Sequence, residues 1–280
     1  MSKKRAQNIF GWWTTGRDEA AIELFETVQK AIETGIIPGK LSYAFMSREP
    51  GESDVSDRLM RIMEKASVPV VTLSALKFKP ELRKTDRDAW RKEYHHEVLE
   101  RIGSFEADVV VLAGYMWVVS PETCQRLKII NLHPAAPDGP AGTWQEVIWQ
   151  LLEQRADHTG VMMHLVTPEL DKGPPVTYCV FSIKGPAWEA LWNEFLELEK
   201  KIGMEGIKQK YGEALPLFAK IREEGVKREL PLIVHTLRSL ANGEIFLEKG
   251  KVLDGKGNVL TKPYDLTKSI DGTLELKRHE

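Results

Sequence analysis

The chain has 280 residues, enough for a sizeable core and one or two domains. Its 42% hydrophobic content is ordinary for a folded domain, and a net charge of −2 excludes the basic footprint of a bulk nucleic-acid binder. Two cysteines cannot make a disulfide framework, and no apolar run approaches the ~18–20 residues of a membrane span, so free thiols in a reducing cytoplasm are expected.

The start, Met1-Ser2-Lys3-Lys4-Arg5, is basic, but the stretch after it is too short and interrupted for a signal peptide. From there short apolar runs alternate with longer amphipathic ones. The pattern predicts strands at 8–12, 40–46, 69–73, 108–113, 129–132, 161–166 and 176–183, and helices at 18–33, 54–65, 86–102, 121–127 and 144–154. Such alternation specifies an α/β fold: an open, mostly parallel twisted sheet with helices on both faces. Ser120-Pro121-Glu122 is a strong helix start, because Ser caps and Pro at the first helical position loses no needed donor.

Past Lys184 the texture changes. Segments 188–202 and 206–224 are rich in Glu, Lys and Leu and predict two helices; 228–241 predicts a third. Segments 244–253 and 258–260 predict a hairpin around Asp254-Gly255-Lys256-Gly257. This divides the chain into a catalytic domain, 1–185, and a helical and hairpin C-terminal extension, 186–280. No internal repeat and no low-complexity segment is present.

Two motifs carry chemistry. Asn131-Leu132-His133-Pro134 closes one predicted strand, and Glu169-Leu170-Asp171-Lys172-Gly173-Pro174 joins the last two. An amide, an imidazole and a carboxylate fall at strand ends, where ligands lie in open α/β sheets. They are the equipment of acyl transfer: a donor for an oxyanion, a proton handler and a group to orient it. Period-two geometry puts Asn131 and His133 on one side of their strand. Taken singly, each residue also has a structural reading. A lone histidine can be a hydrogen-bonded structural group, an Asn can merely close a strand, and Asp before Lys-Gly is a standard turn residue.

Together with Ala107-Asp108-Val109-Val110-Val111-Leu112-Ala113-Gly114-Tyr115-Met116 and Ser120-Pro121 before them, and Gly160-Val161-Met162-Met163-His164-Leu165-Val166-Thr167 between them, these motifs resemble the folate-dependent formyltransferases. The nearest branch is the one that formylates glycinamide ribonucleotide in purine synthesis. The resemblance is strong over 108–180, looser over 7–106, and faint at Leu230-Pro231-Leu232-Ile233-Val234, where the family ends with a helix. Segment 186–228 has no counterpart.

The resemblance implies a Rossmann-like fold and a cytoplasmic transferase that moves a formyl group from 10-formyltetrahydrofolate, a cosubstrate, to a small phosphorylated amine. It implies no metal, no nucleic acid and no membrane. Asn131 and His133 would stabilise the tetrahedral oxyanion, and Asp171 would approach the histidine and organise a water, favouring imidazolium. His164 would support them. The pteridine slot would be formed by Leu112, Met116, Trp117, Val118, Val119 and Val166 with Thr167 and Leu170 of the following loop. The loop Thr15, Gly16, Arg17 would take the acceptor phosphate at a helix N-terminus, with Arg48 and Lys92 as further candidates.

The chain departs from the family pattern at three places. Trp117 stands where an arginine is common. Gly16-Arg17-Asp18 replaces Gly-Ser-Asn, and Asp18 repels a phosphate unless it caps the helix. Ala135 to Thr143 is shorter and less apolar than the family's loop, which puts the acceptor in doubt. Rival readings are therefore formyl transfer to an amino sugar or aminoacyl-tRNA, hydrolysis of formylfolate, and a non-catalytic folate or nucleotide binder. The tRNA reading lacks a basic C-terminal barrel, the hydrolase reading an N-terminal regulatory domain. Leu191, Phe195, Leu198 and Ile202 form one stripe, and Leu215, Phe218 and Ile221 another. They predict a helical hairpin that covers the acceptor, joins two chains in a homodimer, or stands as a surface bundle.

Overall fold

The computed structural model describes residues 8–169 and 172–276. In chain order the elements are β1 (Ile9–Thr14), α1 (Glu19–Glu33), β2 (Lys40–Met46), α2 (Asp54–Lys65), β3 (Val70–Thr72), α3 (Pro80–Thr85), α4 (Arg87–Ile102), β4 (Val109–Leu112), α5 (Pro121–Arg126), β5 (Ile129–His133), α6 (Trp144–Glu153), β6 (His158–Leu165), β7 (Pro175–Ser182), α7 (Pro186–Lys210), α8 (Pro216–Ala241), β8 (Ile245–Glu248), β9 (Lys251–Asp254), β10 (Tyr264–Asp265) and α9 (Thr267–Leu276). Eight strands form one sheet in the order β10-β7-β6-β5-β4-β1-β2-β3. Strands β1 to β5 pair in parallel, as β10 does with β7. The α/β sheet expected from the alternating pattern is thus the one found. Among the described residues no helix is long and apolar enough to cross a membrane.

The chain folds as two compact units. The first comprises Met1–Leu132, His164–Val176 and Ile233–Lys262. Its core gathers Trp13, Tyr43, Phe45, Trp90, Tyr94 and Tyr115. β1 is fixed at its start by the Asp108 carboxylate, which accepts from the Asn8 and Ile9 amides at 3.2 and 3.0 Å. The Tyr43 ring packs onto the β1 backbone at Gly11, where a Cβ would lie 2.8 Å from the phenol. Asp86 caps α4, accepting from Asp88 N and Ala89 N. Ser120 caps α5 with Pro121 at its first position, as the sequence predicts.

The second unit comprises His133–Met163, Thr177–Leu232 and Pro263–Glu280. Val147, Leu152, Trp188, Trp192, Phe195 and Phe218 are among its core residues. α6 starts with a complete Thr143/Glu146 capping box. β10 is held on β7 by the Leu266 amide on the Tyr178 carbonyl and the Val180 amide on Thr267 Oγ1.

Three expectations are corrected. The predicted helix 206–224 does not exist as one element. Within α7 the helical backbone is interrupted at Gly203, whose φ of +69° and ψ of 168° are not helical, so the expected helix to 202 ends there and a second short helix follows to Lys210; a 3₁₀ turn over Gly212–Ala214 precedes a new start at Pro216. The predicted third helix is continuous with α8, which carries Pro231 inside it. The expected segment 244–253 is not one strand but two, β8 and β9, joined by a turn at Lys249-Gly250. Both residues adopt the positive φ that a two-residue primed turn requires, 49° and 71°. The turn expected at 254–257 is present as well: Leu253 bridges Val259 antiparallel, and Asp254 Oδ1 accepts from Lys256 N and Asn258 N at 2.9 Å. α3, β10 and α9 were not among the predicted elements.

Candidate functional site

β5 carries Asn131 and His133 two residues apart. His164, near the end of β6, is only 2% exposed. Its Nδ1 lies 3.0 Å from the Leu165 carbonyl, an acceptor only, so Nδ1 donates. In the neutral ring Nε2 then accepts, and the Asn131 Nδ2 donates to it at 3.1 Å. One amide hydrogen of Asn131 is thereby spent on orientation, and the second is left to point away from His164.

His133 is 3% exposed, and its Nε2 lies 3.3 Å from the Pro140 carbonyl. A carbonyl only accepts, so Nε2 carries the proton. The loop that supplies this acceptor is the one in which the sequence departs from the family. It turns through Asp138 (φ 63°) and Gly142 (φ 117°) and is tied down by Gln150 Nε2 on the Ala141 carbonyl at 3.1 Å.

Asp171 and Leu170 lie outside the described residues. Beside them, a Cβ on Gly173 would sit 1.6 Å from the Leu165 carbonyl, so only glycine fits where this loop rejoins the sheet. Thr167 folds its hydroxyl onto the Glu169 carbonyl at 3.1 Å.

The expected donor-pocket residues separate into two sets. Leu112 and Val119 are buried in the first unit's core, with Val166 and Trp117 packed against it. Trp117 rests on Trp90 with ring centroids 5.2 Å apart, and its indole nitrogen has no hydrogen-bond partner. Val118 is half-buried, and Met116, 52% exposed, is the most exposed of the described pocket candidates.

At the expected phosphate loop, Thr15 is buried. Its hydroxyl accepts from Ser47 Oγ at 2.9 Å and from the Met116 amide at 3.0 Å. The Gly16 amide donates to Thr14 Oγ1 at 3.1 Å, and Arg48 donates to the Gly16 carbonyl at 3.3 Å. Asp18 makes no side-chain cap on α1; it faces Arg17 at 3.8 Å. Thr15, Gly16 and Arg48 are therefore brought together. Lys92 has a different setting: it pairs with Glu122 at 3.6 Å beside a groove of about 530 Å³ that Phe78, His96, Thr123 and Arg126 also line.

Among the described residues no group of three His, Cys, Asp or Glu side chains is placed to hold a metal. Burial pushes the Cys124 and Cys179 thiols up to about 11, so neither is a thiolate nucleophile near neutrality. The sequence reading overlooked His95, although the helical spacing of Trp90, Tyr94, Val98 and Ile102 already places it on the buried face of α4.

The sequence pattern of the formyl transferase family matches residues 54–206. The phosphoribosylglycinamide formyltransferase of Schizosaccharomyces pombe (strain 972) is 34% identical over 119 residues, 40% of this chain and 56% of that protein. The formyltetrahydrofolate deformylase of Escherichia coli (strain K12) is 33% identical over 95 residues, 33% of each chain. The matched part spans about half of the first of these relatives and a third of the second. The crystal structure of a phosphoribosylglycinamide formyltransferase from Coxiella burnetii shares the fold with a TM-score of 0.62 and 15% identity, covering 92% of this chain and 99% of that one.

Proposed function

The chain belongs to the formyl transferase family, and from that premise we propose that it transfers the formyl group of 10-formyltetrahydrofolate to a primary amine, with glycinamide ribonucleotide as the acceptor. The observation that carries the reading is the Asn131 carboxamide, held by His164 at 3.1 Å with its second N–H unspent. A non-catalytic binder has no use for an amide donor aimed in this way.

The donor supplies an electrophilic formyl carbon, whose oxygen becomes negative when the amine adds. The chain's own groups meet that charge. Asn131 offers an N–H that never titrates, and His133 carries a proton on Nε2 that exchanges the Pro140 carbonyl for the new oxyanion. In this reading Asp171 is the carboxylate that approaches the histidine and organises a water for proton transfer. Met116, Trp117, Val118 and Val119 receive the donor, with Leu112 and Val166 behind them and Thr167 and Leu170 beside them. Arg17 and Arg48 are the cations for an acceptor phosphate. Thr15 supports that loop from within, and Lys92 is peripheral to it.

His133→Ala and Asn131→Ala should each lower turnover ~10²-fold or more, with donor binding kept. Near wild-type turnover by His133→Ala rejects the mechanism. Acceptor identity is tested by supplying 10-formyltetrahydrofolate with glycinamide ribonucleotide, with other amines, and with none. Formate release without any amine would replace transfer by hydrolysis, the activity in the name of the E. coli relative.

A further inference from the structure

The first unit buries a histidine that the proposed chemistry does not use. His95 is 0% exposed on α4. Its Nδ1 lies 2.9 Å from the Arg91 carbonyl, which only accepts, so Nδ1 donates. Nε2 therefore presents a lone pair, and the Tyr115 hydroxyl donates to it at 3.1 Å. The Trp13 ring stacks on the imidazole with centroids 6.3 Å apart, and Tyr94 meets it edge-on. Burial pushes His95 down to about 4, which keeps the ring neutral near pH 7.

Tyr115 stands inside the segment assigned to the formyl donor. Its neighbours on both sides are tied as well. The Gly114 carbonyl accepts from the Thr15 amide at 3.1 Å, and the Met116 amide donates to Thr15 Oγ1 at 3.0 Å. Three consecutive residues are thus fixed: one through its carbonyl, one through its side chain and one through its amide. Immediately after them the chain emerges, with Met116 half-exposed and Trp117 and Val118 partly buried. A phenylalanine would fill the Tyr115 site equally well for packing against Trp13 and Phe45. The hydroxyl, which also lies beside that of Tyr94, adds direction, because a hydrogen bond to the fixed His95 nitrogen is met in few orientations where a greasy contact admits several.

We propose that His95 and Tyr115, with Thr15 as the opposing clamp, are positioning residues that hold segment 116–119 in the shape that receives the formyl donor. This rests on the proposed function; neither side chain touches the donor. The pair acts through the backbone it anchors, so it governs donor binding and not the chemical step.

Three variants and two readouts test this. Tyr115→Phe and His95→Leu remove the hydrogen bond while keeping apolar volume. His95→Gln retains an acceptor near the position of Nε2. Donor KM should rise about fivefold in Tyr115→Phe and in His95→Leu, the loss of roughly one net hydrogen bond. kcat at saturating donor and acceptor KM should hold within about twofold, since the chemical step keeps its groups. His95→Gln should recover most of the donor KM. In the ligand-free protein, amide hydrogen exchange over 116–119 should quicken in Tyr115→Phe. An unchanged donor KM with unchanged exchange overturns the proposal. So does a loss confined to kcat or to stability, which would make the pair ordinary core. If the wild-type protein turns over no formyl donor, the functional reading fails, and exchange alone decides the clamp: faster exchange keeps it, unchanged exchange removes it.

Discussion

In the first unit the buried polar side chains around β4 are neutral. Trp13 donates to the Tyr43 hydroxyl at 3.0 Å, Tyr115 to His95 at 3.1 Å, and Tyr94 to the Leu73 carbonyl at 2.8 Å. In the second unit the comparable positions are ionic. Glu224 and Arg228, each 9% exposed, meet at 2.9 Å on α8. Lys220 and Lys227 close on the same carboxylate at 3.2 and 3.0 Å, Asp271 of α9 approaches Arg228 at 3.7 Å, and the guanidinium lies 4.3 Å from the Phe181 ring centroid. Both networks order their surroundings, but they respond to different conditions. Neutral hydrogen bonds ignore salt and fail when a buried base is forced to take a proton. Ion pairs feel salt and fail when the carboxylate is neutralised.

The largest expected effect breaks the ionic side. Arg228→Ala leaves Glu224 with only its lysines and strips a cation from Phe181, so urea denaturation should show a loss of ~4 kcal/mol, the range for breaking a buried pair. A loss below about 1 kcal/mol would class the pair with exposed salt bridges and dissolve the contrast.

The next effect sharpens the neutral side. His95 has a folded pKa of about 4, below its unfolded value. Between those two values the unfolded chain binds a proton that the folded chain refuses. Its contribution to stability is therefore complete above pH ~6.5 and lost as pH falls, by ~3 kcal/mol on reaching pH 4. His95→Gln should lack this slope. A wild-type protein equally stable at pH 6.5 and 4.5 would contradict the buried, neutral imidazole.

Glu224 titrates lower. Burial opposes its ionisation, but Lys227, Arg228 and Lys220 overcome it and hold the carboxyl down to about 2. Its contribution is complete above the ordinary carboxyl range and fades as pH falls through that range toward 2. Allowing for solvent screening we expect ~1–2 kcal/mol, absent in Glu224→Gln. Smallest is the salt effect. Raising salt from about 0.1 to 1 M should shrink the Arg228→Ala penalty by ~0.5 kcal/mol and leave the ratio of donor KM between Tyr115→Phe and wild type unchanged.

Much of the sheet was legible because its signals are local. The strand at 40–46 and the helix at 54–65 have the predicted bounds, and Ser120-Pro121 starts α5 as capping rules require. The hairpin region is instructive. Asp254-Gly255-Lys256-Gly257 turns as its chemistry predicts, whereas the turn at Lys249-Gly250 was not foreseen, because there a lysine accepts a left-handed conformation. Single Gly and Pro residues shaped the tail in opposite ways, since Gly203 interrupts α7 with non-helical backbone while Pro231 sits inside α8. At the candidate site the sequence supplied Asn131 and His133, with His164 as support through the resemblance, but not the contacts that join them. His164 and Pro140 reach them across intervening chain, and no periodicity encodes that. Thr15 shows the same limit in reverse: its position suggested a ligand contact, and its hydroxyl is engaged by Ser47 and Met116.

The 3.3 Å contact between His133 Nε2 and the Pro140 carbonyl makes the loop a competitor for any ligand oxygen. A neutral carbonyl arriving at the imidazole exchanges like for like and gains little. An oxygen that has become negative gains the difference between a neutral and a charge-assisted hydrogen bond, the latter roughly twice as strong. In the proposed reaction the resting loop would therefore act as a filter on charge: it would discount the ground state and leave most of the histidine's binding energy for the moment when the oxyanion forms.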